Sequence, residues 1–261
     1  YLATENNNVE VVKLLLTNPN IDVNIQLKGD CGYNWGGYTP LHYASEKNNT
    51  EIVKLLLSYP NTDVNNQTND GYWFTKGLTA LHIATKEKNI EIVKLLLSAP
   101  NVDVNIQVSG FLDSPGPVPS EWEGCTALHF AAENNSIEIV KLLLSTQNID
   151  VNIRTFDYIF NETCGYTPLH FAVEKNNIEV VKLLLSNPNI DVNIQTSIEK
   201  KDDPNKYTPS FGDFIKGSFF LGPSKKESSY YEYPGYTALH FAVIKNSIEV
   251  VKLLLKNKNI K

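Results

Sequence analysis

Five histidines, His42, His82, His129, His170 and His240, each follow a threonine by three residues. Imidazole at a fixed spacing could serve as a general base, activate a nucleophile or bind a metal. The pattern argues against all three. Every histidine of the chain stands in the same tag, Thr-Pro/Ala-Leu-His, so none is left over for a unique site. Carboxylates also recur at equivalent positions, which marks a scaffold and not a catalytic pair. Gly36, Gly37 and Gly71 are turn glycines without the spacing of a phosphate loop. No catalytic residue, metal ligand or cofactor is expected, and the chain is not expected to be an enzyme.

The cysteines carry no framework either. Cys31, Cys125 and Cys164 precede their threonines by 8, 1 and 3 residues. A disulfide needs Cα atoms within about 7 Å. Cys125 and Cys164 lie in adjacent connectors and are the pair that could meet, but unpaired thiols are the expectation. A net charge of −6 argues against a nucleic-acid partner, for which a basic stripe would be expected. No apolar run approaches the roughly 18 residues of a membrane span.

The elements that hold the tags come next. A second motif, Glu-Ile/Val-Val-Lys-Leu-Leu-Leu, occupies residues 10–16, 51–57, 91–97, 138–144, 179–185 and 249–255, six copies in all. In the five copies with a tag, threonine precedes glutamate by 12 residues each time. Constant spacing of this kind identifies a repeat array. Thr39 can cap a helix, with Pro40 at its first position, where a missing N–H costs nothing. Asn8, Asn49, Asn89, Ser136, Asn177 and Ser247 stand where a second helix should begin, and all are N-cap types. That helix leaves only Lys54 facing solvent among residues 52–57, so neighbouring units must cover it on more than one side. The spacing predicts one elongated domain over 1–261, with helix pairs near 1–17, 39–58, 79–98, 126–145, 167–186 and 237–256. Tyr1 aligns with His42, and the chain stops before a sixth Asp-Val-Asn, so it reads as a piece of a longer array.

The Thr-Pro/Ala-Leu-His tag, the alanine two places after it, the Glu-Ile/Val-Val-Lys-Leu-Leu-Leu motif and the trailing Asp-Val-Asn together resemble the ankyrin repeat. The resemblance implies an all-α solenoid of paired antiparallel helices, with hairpin or loop fingers between pairs. It also implies that the tag histidine is a structural hydrogen-bonder tying neighbouring units. Two departures stand out. Asn, Lys and Ser fill the turn between paired helices where the family prefers Gly-His, and Asn is the next-best residue for a positive φ. In addition, the family period is about 33 residues, whereas successive threonines here lie 40, 47, 41 and 70 apart. All the excess falls between Asp-Val-Asn and the next tag, so the fingers are enlarged. The longest, 194–236, carries Tyr207-Thr208-Pro209 at the offset of a true tag and reads as a decayed repeat.

The enlarged connectors hold all 14 glycines, all 3 tryptophans and 21 of the 27 aromatics. Disordered insertions are poor in aromatics, so these segments should pack on each other or on a partner. The candidate binding residues are Tyr33 and Trp35 in the first, Tyr72, Trp73 and Phe74 in the second, and Trp122 in the third. Phe156, Tyr158 and Phe160 complete the set in the fourth. Trp35, Trp73 and Trp122 are expected at exposed tips. The expected function is non-enzymatic protein interaction, as an intracellular adaptor or scaffold; the lack of a disulfide framework favours the cytoplasm, and an extracellular placement stays open. Two alternatives stay open: a self-assembling protein that docks onto other copies of itself, and a regulatory segment of a larger enzyme or channel.

Overall fold

The computed structural model describes residues 1–26, 37–69, 77–109, 122–156, 165–196 and 235–260. Each segment after the first opens with a first helix and continues into a second. The pairs are α1 (Leu2–Glu5) with α2 (Val9–Leu16), α3 (Pro40–Glu46) with α4 (Thr50–Ser58), and α5 (Ala80–Lys86) with α6 (Ile90–Leu97). They continue as α7 (Ala127–Glu133) with α8 (Ile137–Leu144), α9 (Pro168–Glu174) with α10 (Ile178–Leu185), and α11 (Ala238–Ile244) with α12 (Ile248–Leu255). Among the described residues no strand is present.

The first helices are only seven residues long from α3 onward, too short to stand alone in water. The tag holds them. The Thr39 backbone N–H donates to His42 Nδ1 at 3.0 Å, and the His42 N–H donates to Thr39 Oγ1 at 3.4 Å. This is a capping box in which histidine takes the place usual for Glu or Gln. The backbone-to-Nδ1 bond recurs at Thr79, Thr126, Thr167 and Thr237, at 3.0–3.1 Å.

The turn between paired helices is left-handed at one residue, as the asparagines predicted. Asn7, Asn48, Asn135, Asn176 and Asn246 have φ between 53° and 57°, and Lys88 has φ 58°. The second helices differ from expectation in their caps. Asn8 and Asn49 accept from Val11 and Ile52 N–H groups. Asn89, Ser136, Asn177 and Ser247 sit at the same place without a side-chain cap bond. The Asn89 and Asn177 amides are instead turned to the preceding pair. They donate to the Ser45 and Ala132 carbonyls at the open end of its first helix, both at 2.8 Å.

Pairs stack in one row, first helix on first (α1, α3, α5, α7, α9, α11) and second on second (α2, α4, α6, α8, α10, α12). Ile52, Val53 and Leu56 and their equivalents up to Leu184 are buried, while Leu55 and Leu57 are half-covered at the edge of each contact. After each second helix the chain turns on Asp-Val-Asn. Asp22 Oδ1 accepts from the Asn24 N–H at 2.9 Å, an Asx turn that lays Val23 into the core.

Candidate functional site

The part of each repeat that varies begins and ends at a fixed clamp. Thr68 N–H donates to Leu78 O at 2.9 Å and Gly77 N–H to Thr68 O at 2.7 Å. Val108 with Cys125 and Gly124, and Thr196 with Tyr236 and Gly235, make the same exchange, while Thr155 N–H donates to Tyr166 O at 2.8 Å. The clamped residues are separated by 10, 11 and 40 positions for Thr68–Leu78, Thr155–Tyr166 and Thr196–Tyr236. Four inserts of different length therefore leave the frame at one equivalent point.

The clamp depends on glycine. Gly37, Gly77, Gly124, Gly165 and Gly235, each two residues before its threonine, have φ between 69° and 78°. At Gly77 and Gly124 the neighbouring repeat also closes in. A Cβ on Gly77 would lie 2.3 Å from the Ser109 nitrogen, and one on Gly124 2.3 Å from the Phe156 nitrogen.

Two rows of side-chain amides tie the clamps together. Gln67 Nε2 donates to Gly77 O at 2.7 Å and to Gln107 O in the next repeat at 2.9 Å. Gln107 repeats this with Gly124 and Arg154 at 2.7 and 2.8 Å. The second row runs through Asp-Val-Asn. Asn105 donates to Asn148 O at 2.7 Å and accepts from the Asp150 N–H at 2.9 Å. Asn24, Asn65 and Asn152 do the same at their own junctions. These residues were missed as ties in the sequence: they recur two and four places after each aspartate, but that spacing does not show what they hold.

Beside the clamps lies an aromatic layer. Tyr38 meets Tyr43 edge-on at 5.1 Å, and Tyr166 meets Phe171 and Phe241 at 5.4 and 5.2 Å. The tag histidines close the layer. Nδ1 accepts a backbone N–H, so the ring proton sits on Nε2. From there His42 donates to Leu78 O at 3.0 Å, and His129 and His170 reach Tyr166 and Tyr236 carbonyls at 3.2 and 3.3 Å. Burial holds His42, His82 and His170 down at about 4 and His129 at about 3. Such groups are neutral near pH 7, and His42, His129 and His170 act as staples between units.

Two of the predicted binding residues fall among the described ones. Trp122 is half-buried rather than at an exposed tip. It packs edge-on against Phe130 at 5.7 Å, with Lys86 Nζ 4.4 Å from its ring centre. Phe156 is half-buried, and its N–H donates to Glu123 O at 3.4 Å. Tyr33, Trp35, Tyr72, Trp73, Phe74, Tyr158 and Phe160 lie outside the described residues, as do Cys31, Cys164 and all of 194–236 but its ends. Cys125 is a free, buried thiol whose pKa burial pushes well up. Among the described residues no cluster of three or more His, Cys, Asp or Glu could hold a metal ion. No helix there is long and apolar enough to cross a membrane.

Helix pairs of constant design in a single row, bridged by capped tags and carrying variable segments at one point of each unit, define a helical-repeat solenoid. The family described as "Ankyrin repeats (3 copies)" matches residues 1–108 and 110–196, and "Ankyrin repeat" matches 234–261. The chain belongs to the ankyrin-repeat family, whose members are general protein-interaction modules. Among solved structures it is similar to the crystal structure of EF0377, an ankyrin repeat protein. The TM-score is 0.65 at 23% identity, covering 98% of this chain and 96% of that one, a likeness that concerns the fold. No curated protein matches the chain.

Proposed function

We propose that this chain is a non-enzymatic interaction module that grips a protein partner with its inserted segments. The observation that carries the reading is the constancy of the clamp against the variability of what it holds. Thr68–Leu78 and Thr196–Tyr236 are bonded alike, yet they close spans of 10 and 40 positions. Frame residues recur from unit to unit and support the inserts. The inserts differ in length and sequence and are rich in Tyr, Trp and Phe, the side chains that dominate interface hot spots. Trp35, Trp73, Tyr72, Phe74 and Tyr33 are the proposed anchors, with Tyr158 and Phe160 beside them. Trp122 and Phe156 support the base of their inserts and offer only part of their surface.

The test is photo-crosslinking from benzoylphenylalanine placed at positions 35, 73 and 158, with position 54 on the opposite helix as control. Cross-links to one protein from the insert positions alone support the proposal. Trp35→Ala and Trp73→Ala should then weaken that complex by about tenfold or more with an unchanged Tm. Cross-linking from position 54 alone, or a large fall in Tm, refutes it. Another copy of the chain as the captured protein marks self-assembly. An enzyme or channel marks a regulatory segment.

A further inference from the structure

The third and fourth helix pairs are joined by fewer polar bonds than the pairs on either side. Two side chains tie the helix layers at a complete joint. Between the second and third pairs, His42 Nε2 donates to Leu78 O at 3.0 Å and the Asn89 amide to Ser45 O at 2.8 Å. Between the fourth and fifth, His129 reaches Tyr166 O at 3.2 Å, and Asn177 reaches the Ala132 and Glu133 carbonyls at 2.8 and 3.0 Å. His82 and Ser136 hold those places between the third and fourth pairs, and neither makes the bond. His82 is 2% exposed with Nε2 unpartnered, and Ser136 Oγ is buried and unpartnered. The Cys125 carbonyl lies near the imidazole and accepts from the Val108 N–H at 2.8 Å, but no bond closes to Nε2. The serine side chain is shorter than that of asparagine and does not reach the carbonyls at the end of α5.

Each missing tie weakens the joint twice. The bond is not made, and a buried polar atom stays unpaired at a cost comparable to a hydrogen bond or more. Such atoms are rare in native proteins and call for an explanation. In a stacked array each unit touches only its neighbours, so stability is divided among the joints and one of them is the weakest. The last joint keeps one tie: Ser247 replaces asparagine there, but His170 still reaches Tyr236 O at 3.3 Å. The joint between the third and fourth pairs is intact only on its hairpin side. Asn105 donates to Asn148 O at 2.7 Å and accepts from the Asp150 N–H at 2.9 Å, and Gln107 donates to Arg154 O at 2.8 Å. On the helix side, aromatic contacts stand in for the ties. Phe130 meets His82 edge-on at 5.7 Å, and Lys86 Nζ lies 4.4 Å from the Trp122 ring centre.

We infer that the joint between α5–α6 and α7–α8 is a hinge, at which the helix layers part while the hairpin ties of Asn105 and Gln107 act as the pivot. Opening divides the row into two rigid blocks, α1–α6 and α7–α12. The inserts of one block then change their distance and angle from those of the other, as in hinge closure around a ligand. The hinge belongs to the helical frame, so it stands whether or not the inserted segments bind a partner.

Cys125 reports the opening, because it is a free thiol, buried beside this joint. The intact chain is treated with a maleimide in buffer and in urea below the unfolding transition, and labelling of Cys125 is read from its peptide by mass spectrometry. Cys125 should react faster than global unfolding allows, and with a weaker urea dependence, because opening exposes a single interface. Ser136→Asn, which installs the residue of the two complete joints, should slow that reaction about tenfold without lowering the Tm. The inference is overturned if Cys125 reacts only as fast as the chain unfolds, with the same urea slope. An unchanged rate in Ser136→Asn overturns it too, since the adjoining insert would then be uncovering the thiol by itself. So does a lower Tm in Ser136→Asn, which would show that this joint has no place for the tie its neighbours make.

Discussion

His42 Nε2 donates to the carbonyl of Leu78, 36 residues on and 3.0 Å away, in the next repeat. The same imidazole caps its own helix through Nδ1, so one ring joins two units only while it is neutral. Four tag rings are buried, three of them bonded to the next repeat in this way, with folded pKa values held at about 3 to 4. An unfolded histidine titrates near 6.5. The unfolded chain therefore binds protons first as pH falls. Stability is fully present above about pH 6.5 and is lost progressively down to about pH 4. The four rings together remove on the order of several kcal/mol. Thermal melts between pH 7.5 and 4 check this, and a Tm flat across that window would refute it.

Lys88 occupies the left-handed turn position that asparagine fills in the five other repeats, with φ 58°. A side chain with a long stem pays a steric cost there that glycine escapes. Lys88→Gly should stabilise the protein by about 1 kcal/mol, and Lys88→Asn by a smaller margin. Urea melts give the comparison. Destabilisation by Lys88→Gly would show that the lysine makes a contact worth more than the strain.

Gly77 and Gly124 are set against backbone of the following repeat, and both have φ near 77°. Conformation and space oppose a side chain together. Gly77→Ala or Gly124→Ala should cost about 2 kcal/mol or more. Calorimetry of the pair, with Gly110→Ala as a control in an insert, measures it. Equal melting of variants and control would refute the clamp as a rigid joint.

How much of this was legible in the sequence depends on which distance is involved. The helices were legible because their signals are local: Thr39 before Pro40, Asn48 at a turn needing positive φ, and an apolar stripe at residues 52–57. The enlarged connectors were legible because the constant 12-residue spacing isolates them. Contacts between units were not. Nothing in Asp-Val-Asn shows that Asn105 holds Asn148 and Asp150, because stacking alone brings them together. Trp122 read as a tip because it lies in an insert, yet four residues before Thr126 the chain is already back on Phe130.

The clamp also predicts how the frame answers to shortening its inserts. Thr196 and Tyr236 are bonded as Thr68 and Leu78 are, by a backbone bond and a threonine hydroxyl accepting from the returning N–H at 2.9 Å. The two joints differ in the length they close, 40 against 10 positions. For a flexible loop each doubling costs only about 0.6 kcal/mol of closure entropy. Replacing residues 197–234 with the eight residues 69–76 should leave the chain folded and raise its stability by about 1 kcal/mol. The Gln67 and Gln107 ties elsewhere should stay intact, as amide exchange at Gly77 and Gly124 would report. A partner bound through the first two inserts should still bind with unchanged affinity. A fall of several kcal/mol would mean that the long insert packs on the frame and contributes to its core. That result would move its aromatics, from Tyr207 to Tyr233, out of any binding surface and into the fold.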